Sequence, residues 1–332
     1  MRSSRMSVPN NCRQEDHDRA SSEFPNSEFR AAIRNSKFPS GVMNLSTHAT
    51  AHALIAEGAE RLQQAGIGPA RQEAEWLLGA LLGVRSLELY LSDAQPSPAI
   101  EEQFRFQIEA RASGSPLQYL VGEAEFFGAR FSVEPGVFIP RPETEVVVDV
   151  ALQALRVRER AVGRPLRLLD LGTGSGCIAV TLARELPTCL LAAIELSWNT
   201  LCVARRNIRQ YQVAQRVQLV HGWWLAPIGG RVDGIISNPP YVPSAQIDRL
   251  PLEVRREPRF SLDGGVDGMR DLWYLIEETP RVLHPGGVLV LECGEEQVAQ
   301  LLPRLATPAW RPSVTVINDL AGRPRGLLAI RC

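Results

Sequence analysis

The stretch Leu168-Leu169-Asp170-Leu171-Gly172-Thr173-Gly174-Ser175-Gly176-Cys177-Ile178 is an apolar strand that breaks at a glycine turn and runs straight into a helix. Glycine gives such a turn positive φ and leaves room for close approach where a Cβ would block it. From residue 144 onward, apolar strand-like runs alternate with helical patterns. Strands are expected at 166–171, 190–195, 217–220, 234–237, 288–292, 313–317 and 326–330. Buried strands alternating with helices make a mostly parallel sheet covered on both faces. The last two leave little room for a helix between them and are expected to pair antiparallel. The expected fold class is α/β, a Rossmann-like seven-stranded domain.

The region before it reads differently. A small helical domain is expected over 44–116, with Ser46 capping a first helix that carries Leu54, Ile55, Leu62 and Ala65 and ends at Gly66 and Gly68. A second helix should begin at Pro69 and stop near Gly83, a short one should cover 87–91, and a longer one 100–112. Residues 117–140 contain two short strand signals around Gly128, so a hairpin linker is expected there, with the α/β domain over 141–332. Residues 1–43 are rich in Ser, Asn, Arg and acids without a sustained period, and are expected to be a disordered tail. A targeting segment and a true start at Met43 are alternatives that the sequence leaves open.

Composition narrows the class of function. A net charge of −1 supplies no global field for nucleic acid. Six cysteines without a C-x-x-C pair, and without histidine at ligand spacing, argue against a zinc site and against a disulfide framework. No apolar run reaches the ~18 residues of a membrane span. A cytoplasmic enzyme with reduced thiols is expected.

The glycine spacing is G-x-G-x-G, whereas a dinucleotide fold needs G-x-G-x-x-G to rest a pyrophosphate on the helix N-terminus. Gly172, Thr173, Gly174, Ser175 and Gly176 therefore suit a ligand without phosphates, namely S-adenosylmethionine, although a plain tight turn has the same look. Asp170 just before the loop can meet the ligand's ammonium or order the loop. Glu195 ends the next strand, where an acid can accept hydrogen bonds from both ribose hydroxyls or simply sit solvated.

Asn238-Pro239-Pro240-Tyr241 follows the strand expected at 234–237. The carboxyl end of a central parallel strand is where α/β sheets place chemistry. Two prolines stiffen the turn and have no N–H, so carbonyls remain as acceptors. Asn238 Oδ1 and the Pro239 carbonyl can then take the two protons of a target –NH₂, while Tyr241 can stack on a flat substrate. Such a site aims a planar nitrogen at a methyl donor by orientation, without a strong base.

Together these residues resemble the HemK/PrmC family, the N5-glutamine methyltransferases of class I peptide-chain release factors. The likeness extends over roughly 45–332. Phe138-Ile139-Pro140-Arg141-Pro142-Glu143-Thr144-Glu145 looks like the family's own signature, and Arg256-Glu257-Pro258, 262–268 and 283–287 match further. The resemblance implies transfer of a methyl group from S-adenosylmethionine to the glutamine of a Gly-Gly-Gln motif, with class I release factors as partners. It implies that 172–176 bind the methionine part of the cofactor, Glu195 the ribose, and Trp223 the adenine side. Asn238 to Tyr241 would hold the glutamine, and the helical domain would dock the substrate. Two departures stand out: Gly222 precedes Trp223 where the family commonly has an acid, and Glu195 stands where Asp is usual. Sister chemistry on a ribosomal protein, or amino-methylation of a nucleic-acid base, are the rival readings. Five arginines against nine acids in the helical module make a poor phosphate footprint.

Overall fold

In a computed structural model, residues 49–91, 95–310 and 314–332 are described, and Thr50–Cys332 form one unit. The expected tail over 1–43 and the Ser46 cap lie outside these residues. The first described helix, α1 (Ala51–Gln64), is capped by Thr50, whose hydroxyl accepts from the amide of Ala53 over 3.3 Å. It packs with α2 (Ala70–Leu82), α3 (Ser86–Leu91) and α4 (Pro98–Ala112). Gly58 makes the α1–α4 contact possible, because a Cβ there would lie 2.8 Å from both Phe104 and Ile108.

The linker differs from a plain hairpin. It opens with one short helix, α5 (Leu117–Val121), stopped by Gly122 in the left-handed region at φ 86°. The hairpin follows as β1 (Glu123–Phe126) and β2 (Ala129–Ser132), on either side of Gly128 as expected. Its turn residues Phe127 and Gly128 both have positive φ, the geometry that matches the twist of the two strands. Pro142 then occupies the first turn of α6 (Pro142–Val162), where a missing N–H costs nothing.

Among the described residues, seven strands form the large sheet: β3 (Arg167–Leu171), β4 (Leu190–Glu195), β5 (Val217–His221), β6 (Val232–Ser237), β7 (Leu283–Glu292), β8 (Thr315–Asn318) and β9 (Pro324–Ile330). Their order is β5-β4-β3-β6-β7-β9-β8. The first five strands of that row are parallel, and β9 pairs antiparallel with both β7 and β8, as expected for the terminal pair. β7 starts at Leu283 rather than 288, since Leu283 pairs with Val232 before a register shift.

Helices α6, α7 (Cys177–Glu185) and α8 (Trp198–Gln210) cover one face, and α10 (Arg270–Val282) and α11 (Glu295–Leu305) the other. The short α9 (Leu252–Arg255) and two 3₁₀ turns lie between β6 and α10. Thr144, Val147, Val148, Ala151, Leu152 and Leu155 form the buried stripe of α6, spaced as one helix face. Gly234 is needed beneath it, because a Cβ there would come 2.5 Å from Leu155. The chain order reverses between β3 and β6, so the carboxyl ends of these two strands open a crevice.

Candidate active site

That crevice is a cavity of about 520 Å³. Gly172, Thr173, Gly174, Ser175, Glu195, Trp223, Asn238 and Pro240 line it; Asp170, Gly176, Pro239 and Tyr241 do not. The amides of Gly172 and Thr173 both donate to the Ile194 carbonyl, at 2.9 and 3.0 Å, which moors the glycine loop to β4. Gly174 has φ 57°, and a Cβ there would meet no atom closer than 4.0 Å. Its open side is part of the cavity wall, so the loop offers bare backbone to whatever fills the space.

Asp170 is fully buried and orders this loop. Its Oδ2 accepts from the Thr173 hydroxyl at 2.5 Å and from the Ala179 amide at 3.0 Å, while Oδ1 has no hydrogen-bond partner. Burial lifts its carboxyl to about 7, against the two hydrogen bonds, with the nearby Glu195 charge adding to the rise. Glu195 bridges strand and loop, accepting from the amides of Gly174 at 3.0 Å and Ser197 at 2.9 Å. Burial pushes it upward as well.

The tryptophans divide the work. Trp223 is 46% exposed at the cavity rim, its ring 4.4 Å from that of Tyr274. Gly222 beside it is crowded by Pro227, 3.0 Å from a Cβ position, so the acid common in the family has little room here. Trp224 is buried and holds φ 44°, an outlier for a bulky residue. Two contacts retain it: its indole N–H donates to Asp271 over 3.1 Å, and its ring covers Gly172, 3.2 Å from a Cβ position.

At the end of β6, the Asn238 Nδ2 donates to the Thr144 hydroxyl over 3.1 Å. The Tyr241 hydroxyl donates to Glu292 at 3.3 Å, and the ring packs among core side chains rather than on the cavity wall. Burial first, then Glu292, raise the Tyr241 phenol far above its ordinary value. Gln297 fixes the turn's backbone, donating from one nitrogen to the carbonyls of Tyr241 at 2.9 Å and Gly268 at 3.0 Å.

The signature segment 138–145 turns out to be a strap around the site. Glu257, buried, accepts from the Ile139 amide at 3.0 Å and pairs with Arg141. Glu145 accepts from the Phe127 amide at 3.0 Å. Trp224, Asp271, Thr144, Glu292 and Gln297 were not singled out from sequence. The acid ending the run 288–292 and the doubled tryptophan were the available signals.

No His, Cys, Asp and Glu group able to hold a metal occurs among the described residues, and no helix there is long and apolar enough to cross a membrane. Residues 53–122 match the PrmC N-terminal domain family, and 129–251 match the methyltransferase small domain family. The chain is 41% identical over 286 residues to the release factor glutamine methyltransferase of Moorella thermoacetica, spanning 85% of this chain and 99% of that one. It is 39% identical to the protein of the same name from Nitratidesulfovibrio vulgaris, over 86% and 97% of the two chains. Among solved structures, the hMettl16 catalytic domain in complex with a MAT2A 3′UTR hairpin is similar in fold. The TM-score is 0.50 at 17% identity, covering 68% of this chain and 81% of that one.

Proposed function

The chain belongs to the release factor glutamine methyltransferase family, and from that premise we propose that it methylates the side-chain amide nitrogen of a glutamine in class I peptide-chain release factors, with S-adenosylmethionine as methyl donor. The observation that carries the reading is the orientation of Asn238. Its nitrogen is engaged by Thr144, so its oxygen is left to accept from a target –NH₂ at the wall of the cavity.

The residues present fit the cofactor. Gly174 leaves a cradle that a side chain would fill, Glu195 supplies a carboxylate at the ribose position, and the cavity is large enough for a nucleoside with an amino-acid arm. When bound, the cofactor supplies an electrophilic methyl on a positively charged sulfur. Gly172 to Gly176 would hold its methionine part, Glu195 its ribose hydroxyls, and Trp223 with the neighbouring Leu196 its base.

The protein's own share is orientation. An amide nitrogen is a weak nucleophile because its lone pair is delocalised. Asn238 Oδ1, at the cavity wall, accepts a hydrogen bond from one of its N–H groups, fixes its rotation and aims it for in-line attack. No base of high pKa is required, because the displaced proton can leave afterwards to water. Preorganisation comes from Gln297 on the Tyr241 carbonyl and from the strap through Arg141 and Glu257. The helical domain, held to the catalytic domain by Arg111 on Glu253 at 2.7 Å, is the candidate docking surface for the protein substrate.

Incubation with labelled cofactor and, separately, a class I release factor, a ribosomal protein fraction and DNA tests this reading. Label should enter the release factor, and replacing the glutamine of its Gly-Gly-Gln motif should abolish uptake. Uptake confined to ribosomal protein or DNA overturns it.

A further inference from the structure

An asparagine side chain and a glutamine substrate carry the same functional group, so sterics alone cannot decide which end of Asn238 faces the target. If Nδ2 faced the cavity, a donor would meet a donor. In this structure Nδ2 donates to the Thr144 hydroxyl over 3.1 Å. A hydroxyl both donates and accepts, so the Thr144 contact keeps this orientation only while the hydroxyl hydrogen points away from Asn238. The neighbouring carboxylate of Glu292 biases it that way. Glu292 is 1% exposed, ends β7, and lies beside Asn238 because Ser237 and Leu291 are paired in the parallel register of β6 and β7. Its Oε1 accepts from Tyr241 at 3.3 Å, and its Oε2 has no hydrogen-bond partner. The Thr144 hydroxyl favours the charged form of Glu292 without reaching a full hydrogen bond to it.

An ionised carboxylate offers lone pairs only. In that form it favours the orientation in which the Thr144 hydroxyl hydrogen turns toward it, which leaves a Thr144 lone pair for the Asn238 N–H. We propose that Thr144 and Glu292 are positioning residues that set the polarity of Asn238, holding Oδ1 toward the substrate nitrogen; the proposal rests on the role given to Asn238 above. Thr144 is well placed for this, buried in the first turn of a helix whose start Pro142 fixes. Glu292→Gln breaks the polarity without changing shape, because an amide can donate to Thr144 and allow the chain of hydrogen bonds to reverse.

The test compares Thr144→Val, Thr144→Ser and Glu292→Gln with the parent by two routes. In the first, kcat and KM are measured with a class I release factor, together with calorimetric affinity for S-adenosylmethionine. Thr144→Val and Glu292→Gln should lose about tenfold to a hundredfold in kcat, with KM and cofactor affinity within about twofold, and Thr144→Ser should restore most of the rate. In the second, the Asn238 side-chain amide is followed by NMR in protein labelled with ¹⁵N-asparagine and assigned by its disappearance in Asn238→Ala. Its signal should shift in Thr144→Val and Glu292→Gln but not in Thr144→Ser.

A pH profile adds a third readout. Tyr241, Thr144 and Arg325 favour the charged form of Glu292, Glu143 opposes it, and Cys293 is its neighbour in sequence. Parent kcat should fall below about pH 7, and Glu292→Gln should remove that limb. Unchanged kcat and an unchanged Asn238 signal in Thr144→Val or Glu292→Gln overturn the proposal. Should Thr144→Val not fold, Glu292→Gln decides it by the same measurements. If the parent leaves the release factor unlabelled while the amide signal still responds, the substrate reading fails and the positioning role stands.

Discussion

The carbonyl oxygen of Pro240 lies 2.7 Å from where Gly264 would carry a Cβ, and the Gly268 carbonyl lies 2.6 Å from the same point. The loop 262–268 is wrapped around the turn 238–241, pairing Val242 with Asp263 and taking the Gly264 amide to the Val242 carbonyl at 2.9 Å. The Gly268 carbonyl is held by Gln297 at 3.0 Å, and the proline ring stiffens the backbone at 240. Gly264→Ala should therefore displace the turn and cost about 1–3 kcal/mol, as other overpacking changes do. A lowered Tm accompanied by a larger loss in kcat than in cofactor affinity is the expected pattern.

Asn238→Ala should lower kcat by about 10²–10³, comparable to removing one preorganised hydrogen-bonding group elsewhere, with cofactor affinity changed far less. Tyr241→Phe deletes a hydroxyl that meets Glu292 rather than the cavity, so much of the activity should survive. Tyr241→Ala should not retain it, since it empties space beside Gly294 and the core. Single-turnover rates of the two variants separate these cases. Equal inactivity would make the hydroxyl itself essential.

Asp170 and Glu292 are both lifted to about 7 by burial. The folded state then binds more protons than the unfolded chain between about pH 4 and pH 7, so stability from these groups is present below that window and lost as pH rises through it. Thermal melts of the ligand-free protein should show Tm falling from pH 5 to pH 7.5, and Asp170→Asn should flatten the curve. A cationic ligand beside Glu195 and Asp170 favours their charged forms. Binding of S-adenosylmethionine at pH 6.5 should therefore release protons, seen by calorimetry as an apparent enthalpy that varies with the buffer's ionisation enthalpy.

Arg111 is buried and donates to Glu73 at 2.6 and 3.0 Å and to Glu253 at 2.7 Å. Arg111→Ala strands the buried Glu73 carboxylate and should cost about 3–5 kcal/mol, whereas the double change Glu73→Met with Arg111→Met should be nearly neutral. Denaturant unfolding of the three proteins measures the difference. The single variant should also lose affinity for a protein substrate, because the same arginine joins the two domains.

The alternation of strands and helices was legible because parallel strands buried on both faces are apolar throughout; 190–195 was bounded from sequence as it occurs. β7 was read too short, because His284, Pro285 and the glycines at 286 and 287 interrupt the apolar run while the backbone stays paired. In the site, the glycine loop and the Pro-Pro turn marked in the sequence both contribute residues to the wall of one crevice. Thr144 and Glu292 were hidden because their significance is spatial: a hydrogen bond joins Thr144 to Asn238 across 94 residues of sequence, and strand register brings Glu292, 54 residues on, alongside. The Tyr241 ring shows the converse: an aromatic at the end of an Asn-Pro-Pro turn reads as a stacking platform, yet its hydroxyl meets Glu292 and the residue does not line the cavity.

The Asn207 amide accepts from the Ser132 amide at 2.8 Å and donates to the carbonyls of Ser132 at 3.0 Å and Ser175 at 2.8 Å. One side chain thus belongs at once to the hairpin and to the glycine loop. A macromolecule that settled on the hairpin would act on the ligand cradle through that side chain. If the cradle stiffens or shifts as a result, thermodynamic reciprocity requires the small ligand to change the macromolecule's affinity by the same factor. Order of addition would then leave the equilibrium untouched, and the two binding steps would form a linked pair whose coupling vanishes when residue 207 can no longer bridge.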